Sequence, residues 1–243
     1  MFTASSTLWL IPTKIERDLF LSLWVAKIGQ PFPGSVHPAG FGSIAAAAST
    51  MHYLDTLNPQ RVCLIGIAGT YCLDRFAPGT ACFFSQVETD GVGAESLVQR
   101  PDSSAEHHQH PKVLRLLPSQ LGLPQWEQSY GADFQATTVG EQLGLTTPTW
   151  DGESEQNMDA KLLTVGIASG SPGTVELRRS QFPAVVGEDM EGFGTAMSCH
   201  LKGVPCSILR GASNVVGDRD PSRWIIREAM SAVVAKLAPL VSS

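Results

Sequence analysis

An unbroken apolar segment at residues 62–67, VCLIGI, constrains the fold of this chain more than any other feature. A strand with one wet face alternates apolar and polar residues, whereas a continuous run predicts a strand buried on both faces of its sheet. The Ala-rich residues 42–57 before it have high helix propensity, and Asn58-Pro59 ends that predicted helix. Similar patterns alternate along the chain and predict strands at residues 8–11, 81–87, 161–169 and 205–209, and helices at residues 16–27, 190–202 and 224–240.

This alternation predicts an α/β fold with a central sheet that is largely parallel or mixed. A length of 243 residues fits one large α/β domain, residues 1–243, better than two small domains. Ligands bind such sheets at the carboxyl ends of the strands. We therefore expect a ligand site among residues 12–16, 66–71, 168–173 and 212–220, each of which follows a predicted strand.

The composition excludes several classes of protein. Hydrophobic residues make up 43% of the chain and charged residues 16%, which excludes an intrinsically disordered chain. The net charge of −6 argues against a nucleic-acid partner, which would select a basic surface. About 25% charged residues is usual for a globular domain, so the low fraction predicts that part of the surface is covered, as in a homo-oligomer.

The cysteines and the apolar runs bear on the compartment. The five cysteines are odd in number and form no C-x-x-C pair, so they are predicted to be small buried hydrophobes in a reducing compartment. The first residues lack the pattern of a secretory signal. No apolar run reaches the roughly 18 residues that a membrane span needs. We expect a cytoplasmic protein with no membrane partner.

Three carboxylates lie at the start of the predicted helix 190–202. For Glu188 and Asp189 a favourable interaction with the helix dipole is a sufficient explanation. Glu191 differs because Gly192 and Gly194 follow it, and glycines weaken a helix. Their presence suggests that another group approaches the backbone closely there.

Several short motifs occur in a consistent order along the chain. They are Pro12-Thr13-Lys14-Ile15-Glu16, Ala39-Gly40-Phe41-Gly42, Gly66-Ile67-Ala68-Gly69, Met190-Glu191-Gly192, Val204-Pro205 and Arg210-Gly211-Ala212-Ser213-Asn214. Together they resemble the purine nucleoside phosphorylase and nucleosidase superfamily, and the resemblance covers most of the chain except about residues 98–160. It implies a three-layer α/β/α fold around a central mixed sheet, a purine nucleoside as small-molecule substrate, no cofactor and no metal, and a homo-oligomer.

Within that superfamily, residues 213–224 are similar to the pattern S-N-x-V-x-x-R-[DN]-x-x-x-W of the futalosine hydrolase family. Members of that family act in menaquinone biosynthesis. They hydrolyse the N-ribosidic bond of futalosine, a 5′-substituted inosine-like nucleoside, to hypoxanthine and dehypoxanthine futalosine. The other readings are a methylthioadenosine/adenosylhomocysteine nucleosidase, a purine nucleoside phosphorylase and a non-catalytic nucleoside-binding protein.

The resemblance implies roles for three residues. Glu16 matches the base that activates water, although a carboxylate near a helix start can also be simply solvated, as we expect for Asp18. Glu191 matches the residue that accepts hydrogen bonds from the ribose hydroxyls. Asn214 stands where nucleosidases of 6-aminopurines have Asp. An amide can donate to N7 and to a 6-oxo oxygen, so Asn214 favours hypoxanthine or guanine over adenine; otherwise it is a turn-forming residue.

The remaining expected contacts are with the substrate. The resemblance implies substrate binding by Gly40, Phe41, Gly69, Ser169, Gly170, Met190, Ser213, Arg219 and Trp224. Met190 can equally fill the core. For Arg219 and Trp224 two interpretations stand: they bind a benzoate on the 5′ arm, or Arg219 belongs to an ion network with Asp218, Asp220 and Arg223.

Three further features argue against other chemistry. Family phosphorylases carry an Arg at the position of Leu64, and a phosphate dianion without a cation is disfavoured, so water is the expected nucleophile. The tract Glu106-His107-His108-Gln109-His110 is expected to be a solvated loop, not a metal site. Cys199 and His200 are adjacent on a predicted helix, do not face each other, and are expected to pack.

Overall fold

The computed structural model describes residues 2–91, 94–96, 112–114, 143–144 and 160–242. Five α-helices are present in this part of the chain: α1 (Lys14–Ile28), α2 (Ser43–Leu57), α3 (Pro172–Gln181), α4 (Gly192–Leu201) and α5 (Ile226–Leu237). The strands are β1 (Phe2–Thr3), β2 (Thr7–Ile11), β3 (Val36–Pro38), β4 (Arg61–Thr70), β5 (Ala81–Phe84), β6 (Gln86–Asp90), β7 (Ala94–Ser96), β8 (Lys112–Leu114), β9 (Leu143–Gly144), β10 (Lys161–Val165), β11 (Val185–Asp189), β12 (Cys206–Val215) and β13 (Val241–Ser242).

A mixed sheet of nine described strands forms the middle layer. Its order is β3-β2-β4-β11-β10-β6-β9, with β12 paired to β4 and β5. Strands β3, β2, β4 and β12 run parallel to one another, as do β11, β10 and β6. The two sets meet where β11 runs antiparallel to β4. This confirms the predicted α/β fold with a mixed central sheet.

Strand β4 separates two apolar cores, as its continuous apolar sequence predicts. Val62 and Leu64 pack into the core under α2 and α4, whereas Cys63 and Ile65 pack into the core under α1 and α5. All four side chains are fully buried. Because successive side chains of a strand point to opposite faces, only a strand covered by helices on both sides can bury all of them. The three-layer arrangement follows.

One edge of β4 is shared by two other strands and left open between them. Strand β2 pairs with this edge up to Leu64, and β11 pairs with Gly69 and Thr70. Since β11 runs antiparallel to β4, its carboxyl end points into the same gap as the carboxyl end of β2. The sheet therefore brings the ends of strands from both sets to residues 65–68 of β4.

The helices begin and end where their sequences allow. The Thr13 hydroxyl caps α1 by accepting from the Glu16 amide, and Gly29, with φ 79°, ends it in the left-handed region that suits glycine. Helix α4 lies so close to α2 that a Cβ on Gly194 would be 2.1 Å from the Ser43 carbonyl oxygen. Gly194 thus admits a neighbouring helix, whereas a Cβ on Gly192 would lie 2.9 Å from the side chains of Asp189 and Leu162.

Several predicted boundaries are wrong. The predicted strand 81–87 is broken at Ser85, whose amide donates to the Ala160 carbonyl, so that β5 pairs with β12 and β6 with β10. Predicted strand 161–169 ends at Val165, and predicted strand 205–209 extends to Val215. Helix α3 and strand β11 were not predicted at all.

Other expectations have mixed outcomes. Four of the five cysteines are buried, Cys72 is partly buried, and none of the five forms a disulfide, in agreement with the prediction. The tract Glu106–His110 lies outside the described residues, so it stays untested. In the described ranges no helix has both the length and the apolar character to cross a membrane. The homo-oligomer stays a prediction; Ile15, Phe41 and Ile44 are large apolar side chains that the single chain leaves exposed.

Candidate active site

A cavity of about 360 Å³ opens at the gap in the edge of β4. All four predicted loops, at residues 12–16, 66–71, 168–173 and 212–220, contribute to its wall. The carboxyl end of β11 completes it. The lining residues are Pro12, Thr13, Ile15, Glu16, Phe41, Ile67, Ala68, Gly69, Ala168, Ser169, Glu188, Asp189, Met190, Glu191, Ser213, Asn214, Val216, Gly217, Arg219, Trp224 and Ile226.

Glu16 is the carboxylate held in the open gap. It is buried, and its Oε1 accepts from the Ile67 amide at 3.1 Å, a donor that neither β2 nor β11 reaches. Its Oε2 accepts from the Thr13 hydroxyl at 2.6 Å. Asp18 instead forms salt bridges with Lys14 and Arg17 at the surface. The T-x-x-E spacing of a capped helix start was a sequence signal for this arrangement.

A fully buried arginine, Arg210, organises the floor of the site. Its Nε and Nη2 donate to Asp189 Oδ2 at 3.1 and 2.6 Å, and Nη2 lies 3.3 Å from Glu191 Oε2. Asp189 also accepts from the Thr164 hydroxyl at 2.7 Å. The contact with the helix start that the sequence predicts for Asp189 is present, because Oδ2 also accepts from the Gly192 amide at 2.9 Å. It is not the whole explanation, since Asp189 ends β11 and is the buried counter-ion of Arg210. Arg210 itself received no role from the sequence.

Gly66 lets Arg210 and Glu16 come together over the backbone of β4. A Cβ on Gly66 would lie 2.0 Å from Arg210 Nη1 and 3.0 Å from Glu16 Oε1. Nη1 is buried and has no hydrogen-bond partner among the described residues. A buried guanidinium donor beside a buried carboxylate can hold an oxygen atom of a ligand between them.

Glu191 lies between Arg210 and the turn before α2. Its Oε1 accepts from the Gly42 amide at 3.0 Å, while its Oε2 faces Arg210. Burial raises the pKa of Glu191 to about 7; Arg210 opposes that rise and the neighbouring Asp189 adds to it. Glu191 is thus a carboxyl group that changes charge near neutral pH.

Ser213 and Asn214 enter the cavity through an irregularity in β12. The pairing with β4 shifts between Ala212 and Asn214, as at bulges that re-aim side chains beside active sites. The Ser213 hydroxyl is 2.7 Å from Asn214 Oδ1. Asn214 Nδ2 donates to the carbonyls of Val215 at 3.0 Å and Asp218 at 3.4 Å. Both amide hydrogens are therefore engaged, and a ligand would have to compete for them.

The other predicted contacts divide into two groups. Phe41, Gly69, Met190, Arg219 and Trp224 line the cavity, whereas Gly40 and Gly170 do not. Gly40, with φ 87°, has Ala45 packed against it and shapes the turn before α2. Gly170 lies beside the side chain of Arg219.

Ser169 lines the cavity, as its predicted substrate contact requires, but its side chain is engaged within the protein. It is 1% exposed, and its hydroxyl lies 2.6 Å from Glu188 Oε2 and 2.7 Å from Arg178 Nη1. Glu188 also accepts from the Ser169 amide at 2.8 Å and from the Tyr71 hydroxyl at 2.5 Å. Explaining Glu188 by a helix dipole is therefore wrong, because it is a buried acceptor at the end of β11.

The ion network that was one of the two interpretations of Arg219 is formed by Arg223, and the other interpretation stays a prediction. Arg223 forms the surface ion network, with Asp218 at 2.7 Å and Asp220 at 3.6 Å. Arg219 instead stacks over the Trp224 ring, its guanidinium carbon 5.0 Å from the ring centroid. Trp224 donates from Nε1 to the Asp218 carbonyl at 3.1 Å. The cavity wall thus carries a cation on an indole ring.

Comparison with known proteins fits this site. No protein-family model matches the chain. The futalosine hydrolase of Streptomyces coelicolor is 41% identical over 85 residues, which span 34% of this chain and only 36% of that protein. The futalosine hydrolase of Thermus thermophilus is 25% identical over 97% of this chain and 96% of its own length. The chain is therefore similar to futalosine hydrolases, to one over about a third of its length and to another over nearly all of it.

A solved structure agrees in fold. The 5′-methylthioadenosine/S-adenosylhomocysteine nucleosidase of Helicobacter pylori superposes with a TM-score of 0.60 at 16% identity, covering 98% of both chains. At this identity the likeness concerns the architecture. It confirms the nucleosidase-like α/β fold that the motifs implied.

We expect the Glu191 carboxyl to titrate near pH 7. A ¹³C NMR titration of carboxyl groups should show one resonance with a pKa about 7 that is absent from Glu191→Gln. The folded state then binds an extra proton between the ordinary pKa of 4.5 and about 7. The contribution of Glu191 to the free energy of unfolding therefore falls as pH rises through this window and is constant above it. A Glu191 resonance that titrates at its ordinary pKa would contradict the burial argument.

Proposed function

We propose that this chain hydrolyses the N-ribosidic bond of a purine nucleoside, and that the nucleoside is futalosine. The observation that carries the proposal is the buried Glu16 carboxylate, which lines one cavity together with Glu191 and Asn214 and lies beside the buried, unpartnered Nη1 of Arg210. Three relatives in the comparisons are futalosine hydrolases, and four are 5′-methylthioadenosine/S-adenosylhomocysteine nucleosidases. The proposal places the enzyme in menaquinone biosynthesis by the futalosine route.

The chemistry requires a base for water. Cleavage of an N-ribosidic bond passes through a ribose with oxocarbenium character, so the nucleophile must be activated at the anomeric carbon. Glu16 is fixed by Thr13 and the Ile67 amide. A water molecule bound between Glu16 and Arg210 Nη1 would lose a proton to the carboxylate while the guanidinium holds its oxygen.

The ribose and the base would occupy the remaining polar groups. Glu191 has acceptor capacity for the ribose hydroxyls, and its ionised form, present above its pKa of about 7, binds them more strongly. Asn214 would turn its amide from the Val215 and Asp218 carbonyls to N7 and the 6-oxo oxygen of the purine. Donation there stabilises negative charge on the leaving base.

The surroundings of the cavity support water over phosphate as the nucleophile. Leu64, at the position of the phosphate-binding Arg of family phosphorylases, is fully buried in the core. Among the described lining residues, Arg219 is the one cation, and it is stacked on Trp224. The charge of Arg210, which lies behind the lining, is already offset by the carboxylates of Asp189 and Glu191. Desolvating a phosphate dianion beside Glu16 and Glu191 would be costly.

The Arg219–Trp224 pair supports a carboxylated aromatic 5′ arm. Arg219 can bind a carboxylate with two parallel hydrogen bonds, and the indole ring can cover a benzene ring.

A second candidate function is the hydrolysis of methylthioadenosine or adenosylhomocysteine. The apolar side chains of Ile15, Phe41 and Met190 on the cavity wall suit the thioether arm of those nucleosides.

The direct test is an assay of free base. The purified chain is incubated with futalosine, methylthioadenosine and inosine, each with and without phosphate. We expect hypoxanthine from futalosine without phosphate. Release from methylthioadenosine alone would favour the second candidate, and release that needs phosphate would indicate a phosphorylase. Binding without release would indicate a nucleoside-binding protein.

We expect Glu16→Gln to lower kcat by about 10²–10⁴-fold, the usual contribution of a general base. The amide keeps the size of the side chain but cannot take a proton from water, so KM should change little. Asp18→Asn is the matched control, because it neutralises an exposed carboxylate of the same helix. Steady-state kinetics on both variants test this role. An equal loss of kcat in the two variants would show that Glu16 is not the base.

We expect Arg219→Met to raise KM for futalosine about tenfold, because a charge-assisted bond to the arm is lost. KM for inosine, which has no carboxylate arm, should stay within twofold. Arg223→Met removes a neighbouring arginine that pairs only with surface carboxylates in the described structure, and it should leave both KM values unchanged. A similar rise for futalosine and inosine would overturn the role of Arg219.

A further inference from the structure

The end of β11 carries a second buried carboxylate that the proposed chemistry does not use. Glu188 lines the cavity but is only 6% exposed. Its Oε1 accepts from the Ser169 amide at 2.8 Å, and its Oε2 lies within reach of three donors: the Tyr71 hydroxyl at 2.5 Å, the Ser169 hydroxyl at 2.6 Å and Arg178 Nη1 at 3.3 Å.

These donors come from three separate parts of the chain. Ser169 belongs to the loop after β10, Tyr71 follows β4, and Arg178 lies on α3. Arg178 is held from its other side by Asp90, which accepts from Nε at 2.8 Å. The Glu188 carboxylate is thus the point at which the loop after β10 is fastened to the rest of the fold.

Stability is a weak reason for such a cluster. Moving a carboxylate and a guanidinium out of water is costly, and well-packed apolar residues of similar volume are often as stable or more stable. A fully hydrogen-bonded buried network does fix one geometry, because each lost bond leaves an unpaired polar group in a medium of low dielectric constant. The effect of the network is therefore on the position of Ser169.

The position of Ser169 matters because Ala168 and Ser169 form one wall of the cavity. Their loop, residues 166–171, has one large side chain, Ile167, which is 81% exposed and so does not hold the loop by packing. Ser169 donates both its amide and its hydroxyl hydrogen to Glu188. Without the carboxylate, nothing else in the described structure accepts from this amide.

We propose that Glu188 is a positioning residue for the substrate, acting through Ser169 on the wall of the cavity. The proposal rests on the proposed nucleosidase function. In this proposal Glu188 supports the binding of the substrate in its ground state, whereas Glu16 activates water. Loss of the carboxylate should widen or misplace the wall, which raises KM and leaves kcat nearly unchanged.

The test compares Glu188→Gln with Asp90→Asn. Both variants neutralise a carboxylate that is paired with Arg178, but Asp90 does not touch Ser169 or the cavity wall. We expect Glu188→Gln to raise KM for the nucleoside about tenfold with kcat within threefold of the wild type. Asp90→Asn should lower Tm while KM stays within twofold. A KM for Glu188→Gln within threefold of the wild type, or an equal rise in Asp90→Asn, would overturn the proposal.

Two further measurements keep the proposal testable. If Glu188→Gln does not fold, two other variants test the proposal. Tyr71→Phe and Ser169→Ala each remove one hydrogen bond to the carboxylate without a change of charge, and each should raise KM by at least threefold; unchanged KM values would reject the proposal.

If the wild type releases no base, the proposed function fails by itself. In that case, amide hydrogen exchange tests whether Glu188 holds the loop after β10. Protection of the Ser169 amide should fall in Glu188→Gln and persist in Asp90→Asn. Equal protection in the two variants would show that Glu188 does not hold this loop.

Discussion

The site depends on the burial of one positive charge, that of Arg210. A guanidinium with no exposure to water is costly to bury unless carboxylates offset its charge and accept from most of its donors. Asp189 takes two of them, and Glu191 lies within reach of a third. This requirement fixes the end of β11 against β12 and brings Glu191 to the start of α4. Removing one partner of such a buried pair costs about 3–5 kcal/mol, so the chemistry and the stability of this region cannot be separated.

The cavity itself follows from the pairing of β4. Because β2 ends beside Leu64 and β11 arrives only at Gly69, the backbone between them has no strand on that edge. An unpaired amide in a buried sheet must find an acceptor, and the Ile67 amide finds Glu16. The same gap that exposes the amide therefore selects the position of the carboxylate, and two oppositely directed sets of strands deliver their loops to it.

The sequence predicted the elements whose side chains are apolar and missed those whose burial depends on distant partners. Strand β4 was predicted because its residues are apolar on both faces. Strand β11 was not, because V-V-G-E-D carries two carboxylates, and their burial depends on Arg178 and Arg210, which no local pattern connects to them. The motifs placed Glu16, Glu191 and Asn214 on one cavity. They could not show that the Asn214 amide is engaged by backbone carbonyls.

The two carboxylates that end β11 belong to separate networks because of the geometry of a strand. Adjacent residues point to opposite sides, so Asp189 meets Arg210 while Glu188 meets Arg178 and Ser169. The end of β11 thus supports two parts of the cavity: Asp189 holds Arg210 at the floor, and Glu188 holds Ser169 at the wall. If the chain has the proposed function, a change at the wall would alter which nucleoside fits without touching the groups beside Glu16, and the arrangement around Arg210 would be retained.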